Sequence, residues 1–166
     1  MRKKRNRIRN ADGFTLIELI LVLVFIALIA GLSIPFVAST LDRIQLQSEA
    51  RKIRSALGYA RSQAVTAKTA YIFNGDLENN QYWLSIPRDD KTTRIKSFKK
   101  NVKFKSFTAK KDHIEDDIFQ IYFYPLGNST GGTIELELAD ADKEDAYYEI
   151  IIDPIIGRTQ INKKEP

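Results

Sequence analysis

The sequence predicts an α+β protein, with one long N-terminal helix followed by seven or eight antiparallel strands. Three observations carry this expectation. Leu19 to Ala38 contain no charged side chain. From Leu46 onward, apolar residues recur at alternating spacings of four and three, as on one face of a helix. Beyond Ala67 the period falls to two, in short runs separated by Gly, Asn, Asp and Pro.

The 166 residues suffice for one ordinary domain plus one extended element. With 43% apolar and 28% charged residues, most of the chain should fold. The net charge of +5 is confined to the start. Arg2, Lys3, Lys4, Arg5, Arg7 and Arg9 face only Asp12, and residues 14–166 sum to zero. A basic protein by pI is therefore a neutral one behind a basic head. Cysteine is absent, which excludes disulfides, thiolate metal sites and a cysteine nucleophile. His113 is the single histidine, so multi-histidine metal sites are excluded as well.

As a helix, the uncharged run from Leu19 to Ala38 would extend about 30 Å, the thickness of a bilayer core. It reads as a transmembrane segment with the basic head on the cytoplasmic side and everything after Val37 outside. A secretory signal peptide has a shorter apolar region and a small-x-small cleavage site, and Ala38-Ser39-Thr40 is a poor one. A plain membrane anchor leaves Glu18 unexplained. An unpaired carboxylate just inside the apolar boundary costs about 2–3 kcal/mol. With no partner nearby in sequence, its partner is expected on another chain.

Gly13-Phe14-Thr15-Leu16-Ile17-Glu18-Leu19 behind a short basic leader resembles the prepilin signal of type IV pilins and type II secretion pseudopilins. Pro35 falls where many pilins carry a helix-kinking proline. The resemblance implies cleavage between Gly13 and Phe14 by a prepilin peptidase, then methylation of the Phe14 amine. It further implies that Glu18 attracts the N-terminal amine of a neighbouring subunit as the helix leaves the membrane for a filament core. The expected organisation is a cleaved leader over 1–13, a transmembrane or filament-core helix over 14–38, its amphipathic continuation over 39–67, and an outer β domain over 68–166.

In that continuation, Leu46, Ala50, Ile53, Leu57, Ala60, Ala64 and Ala67 form one stripe, expected to lie against the protein's own sheet. A free coiled coil would want larger seam residues. Gln47, Arg51, Arg54, Arg61 and Lys68 form a neighbouring basic row. Strands are expected over 70–73 and 81–86 as a hairpin, then over 102–107, 118–124, 133–138 and 147–152. The runs 118–124 and 147–152 are the most apolar and are expected to be central. A last pair turns at Pro154-Ile155-Ile156-Gly157 and ends near Ile161, with 163–166 frayed. The helix segment 51–65, with Phe123-Tyr124-Pro125-Leu126-Gly127, Gly131-Gly132-Thr133-Ile134 and Gly157-Arg158, resembles the GspH/FimT family of minor pseudopilins and minor pilins. Residues 74–117 carry no such likeness.

No catalytic set is evident, and no cofactor is expected. His113 lies in a charged run that reads as a solvated turn. Without a G-x-x-x-x-G-K-[ST] loop, the chain is not the motor of its own assembly. Asp140, Asp142 and Glu144 alternate as at the start of a calcium loop, yet Asp145 and Ile151 occupy the places of its glycine and bidentate glutamate. They remain a weak calcium candidate.

Residues 43–111 carry 16 basic and 5 acidic side chains, and 112–166 carry 4 and 13. If the fold separates them, opposite faces carry opposite charge and suit head-to-tail contact. If strands interleave, they become surface pairs worth little. The resemblance implies an inner-membrane protein with a periplasmic domain. It would be a non-enzymatic subunit near the tip of a type II secretion pseudopilus, and its partners would be prepilin peptidase and other minor and major pseudopilins. Glu18 argues against the tip-most subunit type. The rival is a minor pilin, initiating pilus assembly or binding DNA through Arg51, Arg54, Arg61, Lys68 and Arg158. A DNA-receptor member would carry Gly-Arg-x-Arg, and Gln160 stands where the second arginine belongs, so nucleic acid is the weaker reading.

Overall fold

A computed structural model describes residues 14–87, 89–92, 95–99, 101–109, 112–114, 117–140 and 147–164, with backbone alone at 32–39, 89–92 and 112–114. The chain divides into two units, with the boundary in sequence between Ser39 and Thr40. Helix α1 spans Leu16–Ala67, as the sequence predicts, and contributes to both.

In the first unit, Thr15 caps α1. Its hydroxyl accepts the Glu18 N–H at 3.3 Å, and its carbonyl accepts that of Leu19 at 3.2 Å. The apolar side chains from Phe14 to Ile29 are exposed. The backbone stays helical through Pro35, which interrupts one hydrogen bond without ending the element. Among the described residues no helix is long and apolar enough to cross a membrane. The span expected over 14–38 runs into residues 32–39, whose side chains lie outside that description.

The second unit holds ten strands: β1 Tyr71–Asp76, β2 Gln81–Ile86, β3 Asp89–Thr92, β4 Lys96–Ser97, β5 Val102–Ala109, β6 Asp112–Ile114, β7 Ile118–Phe123, β8 Gly132–Leu138, β9 Tyr147–Ile152 and β10 Thr159–Lys164. They build two antiparallel sheets. One runs β3-β2-β1-β7 with β4 also on β2, and the other runs β10-β9-β8-β5-β6. The predicted hairpin is β1–β2, with Asp76 opposite Gln81 and the turn tied by Asn79 N–H to Asp76 Oδ1 at 2.8 Å.

Four expectations are corrected. The run 118–124 was expected to be central, but β7 ends its sheet. Its apolar content alternates instead, burying Phe119, Ile121 and Phe123, and its outer side is met by Thr130, whose N–H donates to the Tyr122 carbonyl at 3.0 Å. The short strands β3, β4 and β6 were not expected, and β6 puts His113 in a strand opposite Thr108 rather than in a turn. The C-terminus was expected to fray from Lys163, but β10 stays paired to Lys164, opposite Tyr147. The alanine stripe is buried from Leu46 to Ala64, whereas Ala67, at the helix end, is exposed.

One hydrophobic core joins this stripe to the inner faces of both sheets. Its centre is aromatic: Phe107 of β5 stacks on Phe119 of β7 with centroids 4.2 Å apart, and Phe104 meets Phe119 edge-on at 5.4 Å. Gly75, paired with Phe119 across β1 and β7, makes room, because a Cβ there would run into the Phe119 ring. Every residue of this core lies between Leu46 and Ile161.

Candidate assembly site

Of the predicted processing and assembly residues, Phe14 and Glu18 lie together at the start of α1. Phe14 is 85% exposed, and Glu18 follows in the first helical turn. Thr15 and Glu18 stand as N-cap and N3, the positions of a capping box. This signal was present in the sequence and was missed. A carboxylate here is favoured by the positive end of the helix dipole by about 0.3–1 kcal/mol. Among the described residues the Glu18 carboxylate makes no ion pair. Gly13 lies outside the described residues, as does the Pro35 side chain.

The five predicted cations do not form one face. Arg51 and Arg54 are exposed on α1, where with Tyr148, Ile161 and Lys163 they line a hollow of about 330 Å³ beside β9 and β10. Arg61 is engaged internally. Its Nε donates to the Gly127 carbonyl at 3.1 Å and the Ile156 carbonyl at 2.9 Å, tying α1 to two loops. Lys68 stands just past the helix at φ 51°, in the left-handed conformation that closes it. Arg158 is exposed beside Gly157, and its carbonyl accepts the Asp153 N–H at 2.9 Å.

Those two loops, residues 124–131 and 153–158, are joined to each other by hydrogen bonds. Ser129 N–H donates to the Pro154 carbonyl at 3.0 Å, and its hydroxyl donates to the Asp153 carbonyl at 3.0 Å. Asp153 Oδ1 in turn accepts the N–H of Ile155 at 2.7 Å and of Ile156 at 3.0 Å. On this scaffold Leu126 is 94% and Ile155 81% exposed. Sequence reasoning used these stretches for the family likeness and a turn, and assigned no role to Leu126 or Ile155. The overlooked signal was aliphatic residues inside Pro-to-Gly turns, where polar ones are usual.

The charge asymmetry resolves into interleaving within the second sheet. Lys103 and Lys105 of β5, from the basic half, pair with Glu137 of β8, from the acidic half, at 3.2 and 4.0 Å. Asp140 sits in an exposed turn, while Asp142 and Glu144 lie outside the described residues. Among the described residues no cluster of His, Cys, Asp and Glu is arranged to hold a metal.

One helix, apolar at its start and laid through its second half on antiparallel sheets, defines a pilin-like subunit. The solved structures agree on the fold. The minor pseudopilin EpsH of Vibrio cholerae aligns with a TM-score of 0.56 at 12% identity, over 70% of this chain and 94% of that one. The type IV minor pilin FimU of Pseudomonas aeruginosa aligns with a TM-score of 0.57 at 20% identity, over 75% and 94%. By sequence, residues 49–155 match the family described as Type II transport protein GspH. Type II secretion system protein H of Xanthomonas campestris pv. campestris is 29% identical over 133 residues, 80% of this chain and 75% of that protein. Its Pseudomonas aeruginosa namesake is 32% identical over 81 residues, 49% and 41% of the two chains. The chain belongs to the GspH family, the H-type minor pseudopilins of type II secretion.

Proposed function

We propose that this chain is a structural subunit near the tip of a periplasmic pseudopilus, built with other minor and major pseudopilins. It is made with the basic head in the cytoplasm, α1 in the inner membrane and the β domain in the periplasm. A prepilin peptidase cuts after Gly13 and methylates Phe14. The observation that carries this reading is the start of α1, where exposed apolar side chains from Phe14 to Ile29 surround one first-turn carboxylate, Glu18. Such a surface is stable in lipid or against other helices and unstable in water. The Glu18 charge then favours a site beside the new amine of a neighbouring Phe14.

DNA binding is the weaker reading. Arg61 is committed to two carbonyls, and Gln160 occupies the place of a second C-terminal arginine. The test is expression beside a prepilin peptidase, with intact mass and co-purification as readouts. The mature chain should begin at Phe14, and Glu18→Ala should be cut normally yet recover less of the other pseudopilins. A mass that retains residues 1–13, or unchanged recovery with Glu18→Ala, would sink the proposal.

A further inference from the structure

A groove of about 800 Å³ runs between the middle of α1 and the corner made by β2 and β4, away from the residues discussed above except Arg51. Its walls are aromatic. Tyr59 of α1 is 54% exposed, and Tyr82 of β2, on the same face of the sheet as Lys96, lies at the base. Three cations line it: Arg51 and Lys52 from α1, and Lys96 from β4, whose ammonium is 6.0 Å from the Tyr82 ring centroid. A single carboxylate, Glu49, is also present. It is 2% exposed, and Lys52 already holds it at 2.9 Å.

We infer that this groove docks an acidic segment of a partner subunit, anchored by an apolar side chain against Tyr59 and the edge of Tyr82. Two features of the surface select that occupant. Its size fits several side chains and its aromatic walls reward an apolar anchor. Its charge is the second: with Glu49 neutralised by Lys52, Arg51 and Lys96 remain as the excess, so an acidic segment is attracted and a basic one repelled. A phosphate backbone fits less well, since a buried carboxylate and aromatic side chains line the groove beside its cations. The inference deepens the assembly reading and rests on it only for the identity of the partner.

Trp83 is the sole tryptophan and belongs to the strand that lines the groove, so a change in its emission reports binding there. The full chain in nonionic detergent is titrated with an acetylated amphipathic peptide of Glu, Leu and Phe, and with its counterpart in which every Glu is Lys. The acidic peptide should shift the emission saturably, and added salt should weaken it. The Lys peptide should not. Arg51→Glu with Lys96→Glu should weaken binding about tenfold or more, with unchanged melting because both residues are exposed. If that double variant loses its fold, Arg51→Gln and Lys96→Gln singly carry the test.

Several results would overturn the inference. They are no shift with the acidic peptide, an equal shift with the Lys peptide, or unchanged affinity in the charge variants. Displacement of the acidic peptide by duplex DNA would make the groove a nucleic-acid site. Self-association abolished by Arg51→Glu would make its occupant a second copy. Because binding is read on the isolated chain, failure here leaves processing at Phe14 and recovery through Glu18 to stand or fall on their own test.

Discussion

Arg61 and Ile156 are 95 positions apart and joined by a hydrogen bond of 2.9 Å, from the arginine Nε to the isoleucine carbonyl. The same Nε reaches the Gly127 carbonyl at 3.1 Å, so one side chain on α1 holds two loops from different sheet connections. The approach depends on Gly157, which takes φ 61° and packs against both the Gly127 carbonyl and the Arg61 side chain. A charged donor is thus used to build the end of the domain.

Replacing Arg61 with Ala should therefore destabilise the outer domain by about 1–3 kcal/mol, because two carbonyls lose a charged donor. Arg61→Lys should recover only part, since a mobile ammonium replaces a planar group held between both loops. Thermal melting measures the loss, and amide exchange of Gly127 and Gly157 should quicken more than that of Phe73 in the core. Equal exchange at all three would mean that the bonds do not hold the loops.

How much of this was legible can be followed along α1. The stripe from Leu46 to Ala64 could be read because helical periodicity is a local signal, written in every turn. Arg61 could not, since its acceptors lie in loops that come near only once both sheets have formed. Glu49 is buried near Tyr82, a residue 33 positions away, whereas a glutamate on a helix otherwise reads as solvated. The edge strands β3, β4 and β6 are two to four residues long, too short for a period of two to show. The Thr15–Glu18 cap, by contrast, is a local signal that the sequence carries in four residues.

Tyr82 gives the domain an alkaline limit. Burial, and then the nearby Glu49 carboxylate, raise its pKa above the ordinary 10.0. The neutral phenol is the form the fold favours, so this stabilisation is complete below pH 10.0 and is lost as pH rises through the higher folded value. Denaturant melts from neutral pH upward should show the parent losing stability more steeply above that point than Tyr82→Phe. Parallel curves would show that Tyr82 ionises as freely folded as unfolded.

The loops held by Arg61 should tolerate change at one position and refuse it at another only two residues away. Leu126 and Ile155 are 94% and 81% exposed, so Leu126→Ser with Ile155→Ser should shift stability by no more than about 0.5 kcal/mol while raising solubility. Gly157→Ala adds a single methyl group, yet should cost about 1–2 kcal/mol or more. Its φ of 61° disfavours any Cβ, and the new atom would meet the Gly127 carbonyl. Melting the two variants side by side settles the matter. A large loss from the serine pair would mean that the aliphatic side chains pack within the fold, and a neutral Gly157→Ala would mean that the two loops can part without cost.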